Sequence, residues 1–287
     1  MWALFAIISS FLETSKDTLG KKVTNDTSSI LTAFFLQLAG TIILLPFVLY
    51  FGIPELGENF YLTLVLAAIL IPVWSIAYMK ALETSDISNV IPLLALTPVL
   101  TLMLGFFLEE KIPNKFSMFG IIIVSIGIYL ARIEKSVLET PLKPFASIIN
   151  DKGSRYMLIV VSIFSIGPFL AKFNTTASSP LFGSFSNMGL ASIILFILVL
   201  IRGELKFKVI KKNKVNLSLM GILNGFSEIA FRTALSGTLT PLVVPFKRMN
   251  IIWSSLLGWA VYKEKFNKFK IFGILCVFIG LILIYLN

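Results

Sequence analysis

The sequence predicts an all-α integral membrane protein whose ten transmembrane helices form two inverted five-helix repeats. Three observations carry that expectation. First, 56% of the 287 residues are hydrophobic and only 14% charged, with mean hydropathy +0.90; a soluble fold of this size needs far more polar surface. Second, the apolar runs are about twenty residues long, enough to cross ~30 Å of hydrocarbon at about 1.5 Å per residue. Third, one stretch of chain recurs at a constant offset of 153 residues. Ala77, Ala81, Pro92, Gly105, Asn114, Lys115, Phe116, Phe119, Gly120 and Gly127 return as Ala230, Ala234, Pro245, Gly258, Asn267, Lys268, Phe269, Phe272, Gly273 and Gly280.

The first span, 2–20, lacks a basic leader and a small-residue cleavage motif and carries Glu13, Lys16 and Asp17, so it reads as a retained helix. Spans 30–51, 59–82 and 87–108 follow, with Lys80 close enough to the end of the third to snorkel to water. The fifth, 114–132, has Gly120 and Gly127 seven residues apart on one side, a device for close helix contact. The sixth, 155–177, contains Gly167-Pro168, a kink, and Lys172. The seventh, 181–202, is uncharged within, whereas the eighth, 215–236, holds Glu228 and Arg232 four residues apart, an ion-pair spacing. In the ninth, 239–262, Pro241 and Pro245 interrupt backbone hydrogen bonding just before Lys247-Arg248 and Asn250. The tenth, 266–286, repeats the glycine spacing with Gly273 and Gly280. Spans five and ten, free of internal charge, can face lipid all round.

Five spans per half is an odd number, so the halves enter from opposite sides. Residues 1–133 form the first repeat, 134–154 a cytoplasmic linker with Pro141 and Pro144, and 155–287 the second repeat. Lys and Arg sort by side. They crowd the odd-numbered loops and adjoining helix ends, as in Lys206, Lys208, Lys211, Lys212 and Lys214, whereas the even-numbered loops hold only Lys111 and Lys115. By the positive-inside rule the odd loops are cytoplasmic and both termini lie outside, in an inner or plasma membrane. That distribution, and not nucleic acid, accounts for the net charge of +10.

No histidine is present and Cys276 is the single cysteine, which removes Ser-His hydrolase and zinc chemistry and internal disulfides. Nothing in the sequence calls for an enzyme, a metal or another cofactor. A duplicated membrane bundle instead points to a carrier with its site where the halves meet.

The stretch from Leu94 to Lys111, with Thr97-Pro98-Val99, Gly105 and Glu109-Glu110-Lys111, resembles the EamA-type repeat, as do Gly120 and Gly127. The second copy, with Gly258, Glu264-Lys265, Gly273 and Gly280, is similar. EamA repeats belong to the drug/metabolite transporter superfamily, and the resemblance implies a ten-helix carrier with two such domains. The adjacent Lys247-Arg248 is also similar to a pair in the sugar-phosphate translocator branch, which implies contact with a substrate phosphate.

A charge at mid-bilayer costs about 2.5–3.5 kcal/mol even on lenient scales, so intramembrane charges are functional candidates. Glu228 and Lys247 are each eight residues from the outer ends of consecutive spans, and the short link at Gly237 and Thr238 predicts antiparallel neighbours. One acid, Glu228, then faces Arg232, Lys247 and Arg248. Either the network closes on itself, or the surplus cations hold an anion, with Asn250 beside them. Glu13, Lys16 and Asp17 form either a salt-bridged structural unit or a site of coupling or gating, with protons as the coupling ion. The expected function is alternating-access movement of a small polar, preferably anionic, metabolite. The alternatives are an exporter of amino acids or hydrophobic drug-like compounds, with the cations fully paired, or a lipid flippase.

Overall fold

The computed structural model describes residues 1–23, 28–109, 111–132, 150–205, 207–263 and 268–286. Every regular element among them is helical: α1 (Trp2–Val23), α2 (Ser29–Phe51), α3 (Phe60–Thr84), α4 (Ile87–Val90), a 3₁₀ segment (Ile91–Ala95), α5 (Leu96–Leu108), α6 (Lys115–Arg132), α7 (Lys152–Thr176), α8 (Pro180–Ile201), α9 (Phe207–Gly237), α10 (Thr240–Lys247), α11 (Asn250–Tyr262) and α12 (Lys268–Tyr285). Seven of these stretches are long and apolar enough to cross a membrane: α2, α3, the run Ile91–Leu108, α6, α7, α8 and α12. Phe107, Leu49 and Ile201 are among the large apolar side chains left exposed, a surface suited to hydrocarbon.

The helices start where short polar side chains take up the first unpaired amides. Ser28 Oγ accepts from Leu31 N at 3.2 Å at the head of α2, and Ser179 Oγ from Phe182 N at 3.1 Å ahead of Pro180 in α8. Asn114 Oδ1 accepts from Ser117 N at 2.8 Å before α6, and Asp151 Oδ2 from Ser154 N at 2.7 Å before α7.

Three features depart from the expected spans. The fourth is divided into α4, the 3₁₀ segment and α5, and the ninth into α10 and α11. The eighth begins at Phe207, well before residue 215, because exposed Lys211, Lys212 and Lys214 continue the helix and carry their charges to water on long stems. Of the expected linker, residues 134–149 lie outside the described residues, as do Glu110, Glu264 and Lys265.

The chain forms two compact units, and each draws on both sequence halves. One comprises Met1–Ser75 with Phe169–Gly237, the other Ile76–Pro168 with Thr238–Asn287. The boundaries fall inside α3, just beyond Pro72, and inside α7 at Pro168.

In the first unit α1 lies along α9, and α2 packs on both α8 and α9. Gly40, Gly221 and Gly225 let α2 and α9 approach: a Cβ on Gly221 would fall 2.2 Å from that of Ala39. In the second unit α6 and α12 make the most extensive pairing, and α10 packs on α5, α6 and α12. Ala77, Ala81, Val90, Leu93, Leu94, Met157, Val160 and Val161 form a buried cluster there.

The fifth and tenth spans, which their lack of charge would allow to face lipid all round, are joined through their glycines. A Cβ on Gly120 would lie 2.7 Å from Gly280 O, and one on Gly127 2.7 Å from Gly273 O. The glycine faces of α6 and α12 are therefore buried against each other in an antiparallel crossing, since only small residues let two backbones come so close.

Candidate functional site

The second unit contains both divided helices. Pro92 near the start of the 3₁₀ segment and Pro245 inside α10 each lack an amide hydrogen, so neither helix can keep a regular ladder through that point. In the ninth span the pattern tightens after Pro245. Arg248 N donates to Pro245 O at 3.0 Å, Met249 N to Phe246 O at 3.0 Å, Ile251 N to Arg248 O at 3.2 Å and Ile252 N to Met249 O at 2.8 Å.

The two breaks occupy equivalent positions of the 153-residue repeat. Pro92 matches Pro245, Leu94 and Ala95 match Lys247 and Arg248, and Thr97 matches Asn250. Leu94 and Ala95 are buried apolar residues, whereas Lys247 and Arg248 are half-buried cations. The same backbone interruption is thus built twice and charged once.

Several contacts fix this region. Glu109, at the end of α5, clamps the first residue of α10: its Oε1 accepts from Thr240 Oγ1 at 2.6 Å and from Thr240 N at 3.1 Å. A carboxylate there also complements the positive end of the helix dipole. The Arg248 guanidinium lies over the Phe164 ring of α7, 5.4 Å from its centroid. On the same face of α7, two turns earlier, Tyr156 receives Lys80 Nζ at 5.4 Å. Asn250 is half-buried at the first turn of α11.

The first unit holds the other charged candidates. Arg232 is 1% exposed. Its Nε donates to Glu228 Oε1 at 3.1 Å, and its Nη1 reaches Asn174 Oδ1 at 3.0 Å, Thr175 Oγ1 at 3.2 Å and Ala171 O at 3.2 Å. Gly183 of α8 leaves room for this knot, since a Cβ there would stand 3.0 Å from Nη1 and 2.9 Å from Asn174 Oδ1. Asn174 Nδ2 in turn donates to Phe60 O at 3.3 Å, so one guanidinium ties α9 to α7 and, through Asn174, to α3. On α1, Lys16 Nζ stands 3.4 Å from Glu13 Oε1, 3.6 Å from Asp17 Oδ1 and 3.4 Å from Asn224 Oδ1 of α9.

The structure therefore joins Glu228 to Arg232, and Lys16 to both Glu13 and Asp17. It assigns Lys247, Arg248 and Asn250 to the other unit. Residues 1–133 and 151–286 match the EamA-like transporter family. The chain belongs to that family. It is accordingly a multi-pass membrane transporter of small molecules, in a family of carriers and not of enzymes. No curated protein matches it. A crystal structure of another protein shares its fold with a TM-score of 0.81 at 12% identity, covering 99% of this chain and 96% of that one.

Within this EamA-like chain, sequence reasoning missed Glu109, Phe164, Asn174 and Thr175 as partners. Asn174 stands among Lys172, Thr175 and Thr176 near the end of its span, so nothing in the sequence sets it apart from polar helix-end residues, and its burial is a fact of the fold. For Glu109 and Phe164 the partner lies on a distant segment, and spacing along the chain carries no trace of it.

Proposed function

We propose that this EamA-like transporter moves a small polar, preferably anionic, metabolite by alternating access. Its ten spans are read as two inverted five-helix repeats, with the divided fourth and ninth spans taken as one helix each. The antiparallel pairing of α6 with α12, the last span of each repeat, supports that arrangement. Odd loops and the linker face the cytoplasm, both termini lie outside, and the membrane is an inner or plasma membrane.

One observation carries the reading: helices interrupted at matching positions of the two repeats, with a Lys-Arg pair placed at one interruption. Broken helices in corresponding places are where carriers build their sites, because the freed backbone and half-helix ends need a polar companion. Lys247 and Arg248 meet the anionic group, Arg as a planar two-pronged donor and Lys as a compact charge. Asn250 adds a neutral hydrogen-bonding group. Arg232, engaged through Nε and Nη1 within its own unit, holds Glu228 in place. Glu13, Lys16 and Asp17 take the coupling or gating role, with the proton as coupling ion.

The test is uptake into proteoliposomes by the Lys247→Ala plus Arg248→Ala variant. Transport is expected to vanish while membrane insertion stays normal; undiminished uptake refutes the assignment. A second reading, export of neutral amino acids or hydrophobic compounds, draws support from the four hydrogen bonds that Arg232 makes within its own unit. It expects amino acids, and not phosphates or carboxylates, to raise the melting temperature of the purified protein.

A further inference from the structure

Inside the first unit, two groups on facing helices have unmet hydrogen-bonding capacity at the same depth. Asn187 of α8 is 6% exposed, and among the described residues its side chain makes no hydrogen bond, with Nδ2 wholly shielded. Glu228 of α9 gives Oε1 to Arg232, but its Oε2 accepts no hydrogen bond among the described residues. About a quarter of the Glu228 side chain is open.

Their juxtaposition follows from the helix register. Gly183 of α8 abuts Arg232 Nη1 of α9. The two helices run in opposite senses from that point, so one turn back along α9 and one turn forward along α8 descend together by about 6 Å. That step leads from Arg232 to Glu228 and from Gly183 to Asn187.

Glu228 is also held in one orientation. The buried guanidinium clamps one carboxylate oxygen, and Asn174, Thr175 and Ala171 O clamp the guanidinium. The second oxygen is presented as a fixed acceptor. Neighbouring charges are Lys16, Glu13 and Asp17 on α1 and Lys172 on α7, while α2 and α8 contain none.

We propose that Asn187 and Glu228 recognise a hydroxyl group of the transported solute. The chemistry selects that group. An ammonium would satisfy Glu228 and leave the Asn187 donor unmet, and a carboxylate would suit Asn187 but be repelled by Glu228. A hydroxyl donates to Oε2 and accepts from Nδ2 at once. Arg232 is then a positioning residue. The proposal rests on the chain being a solute carrier but not on the anion assigned to Lys247 and Arg248.

The experiment is a thermal-shift titration of the full-length protein in detergent with two probes, the neutral polyol xylitol and inorganic phosphate. Wild type is expected to bind xylitol saturably, and Asn187→Leu to bind it about tenfold more weakly. Because Leu removes an unmet buried donor, the variant should melt no lower than wild type without ligand. Asn187→Ser supplies a second variant with the same expected loss. Saturable xylitol binding that is equal in wild type and Asn187→Leu overturns the proposal, as does a wild type that ignores xylitol and holds only water at this position. A response to phosphate without one to xylitol sinks this site and leaves the anion reading standing; the opposite pattern does the reverse.

Discussion

Gly127 and Gly273 pack backbone to backbone: a Cβ on Gly127 would lie 2.7 Å from Gly273 O, and one on Gly273 would lie 2.6 Å from Gly127 O. Both obstacles are main chain and cannot swing aside. Gly127→Ala should force α6 and α12 apart and cost roughly 1–3 kcal/mol, the range for overpacking a tight interior. Gly189→Ala is the control, because its new methyl meets only Thr41 Cγ2 at an ordinary 3.6 Å. That change should be neutral or stabilise α8 by up to about 1 kcal/mol. Thermal unfolding of both variants in detergent checks the pair, and equal melting temperatures would remove the close-contact argument.

Glu109 and Thr240 are 131 residues apart in sequence yet share three hydrogen bonds. Glu109→Ala should uncap α10 and lower stability by about 1 kcal/mol, within the usual span for a lost helix cap. Thr240→Val keeps the backbone amide contact and should cost less. A double-substitution cycle should show coupling between the two sites, and strict additivity would mean that the contact contributes nothing.

Much of this was legible in the sequence, and what escaped has a common cause. Glycines seven residues apart in two copies announce a close helix contact, and Glu228 with Arg232 is readable as a pair because four residues return to the same helix face. Local spacing does not give the rotational phase of one helix against another. Asn174 and Thr175 as partners of Arg232, and Phe164 beneath Arg248, are facts of that phase. The division of the fourth span was hidden for another reason. Ile91 to Ala95 is apolar throughout, so hydropathy runs unbroken across a segment whose backbone Pro92 has already interrupted. Its matched partner, Pro245, was read because cations follow it. The sequence halves are likewise plain as repeats, whereas the spatial units exchange segments between them.

Asp151 caps α7 and accepts hydrogen bonds from Ser85 and from the Ser154 amide and hydroxyl, the latter two at 2.7 Å. Burial pushes its carboxyl upward, but the bonds from Ser85, Ser154 and the Gly153 amide outweigh that and hold it below the ordinary value of 3.8. A carboxylate depressed in the folded state binds its proton more weakly there than in the unfolded chain. Its contribution is therefore fully present above the unfolded value of about 3.9, and it fades as pH falls through the lower folded value. Asp151→Asn should flatten the acid limb of the melting-temperature profile below about pH 4 and leave the limb above pH 6 parallel to wild type. An acid limb of unchanged steepness would show that Asp151 does not titrate against folding.

Arg232 and Glu228 form a buried pair whose members are unequal in shielding, 1% against 26% exposed. Arg232→Met takes a hydrogen-bond donor from Glu228, Asn174, Thr175 and Ala171 O at once, so it should destabilise the protein by about 3–5 kcal/mol. Glu228→Gln strands a guanidinium that still has Asn174, Thr175 and Ala171 O around it, and should cost less. Replacing both at once removes the stranded charge, so the double variant should recover part of the stability lost by Arg232→Met alone. Chemical denaturation in mixed micelles gives all three values in one cycle. Function separates the roles further. If Arg232 acts only by aiming Glu228, the refolded double variant and Glu228→Gln should lose solute binding to the same extent. A greater loss in the double variant would mean that the guanidinium itself touches the solute.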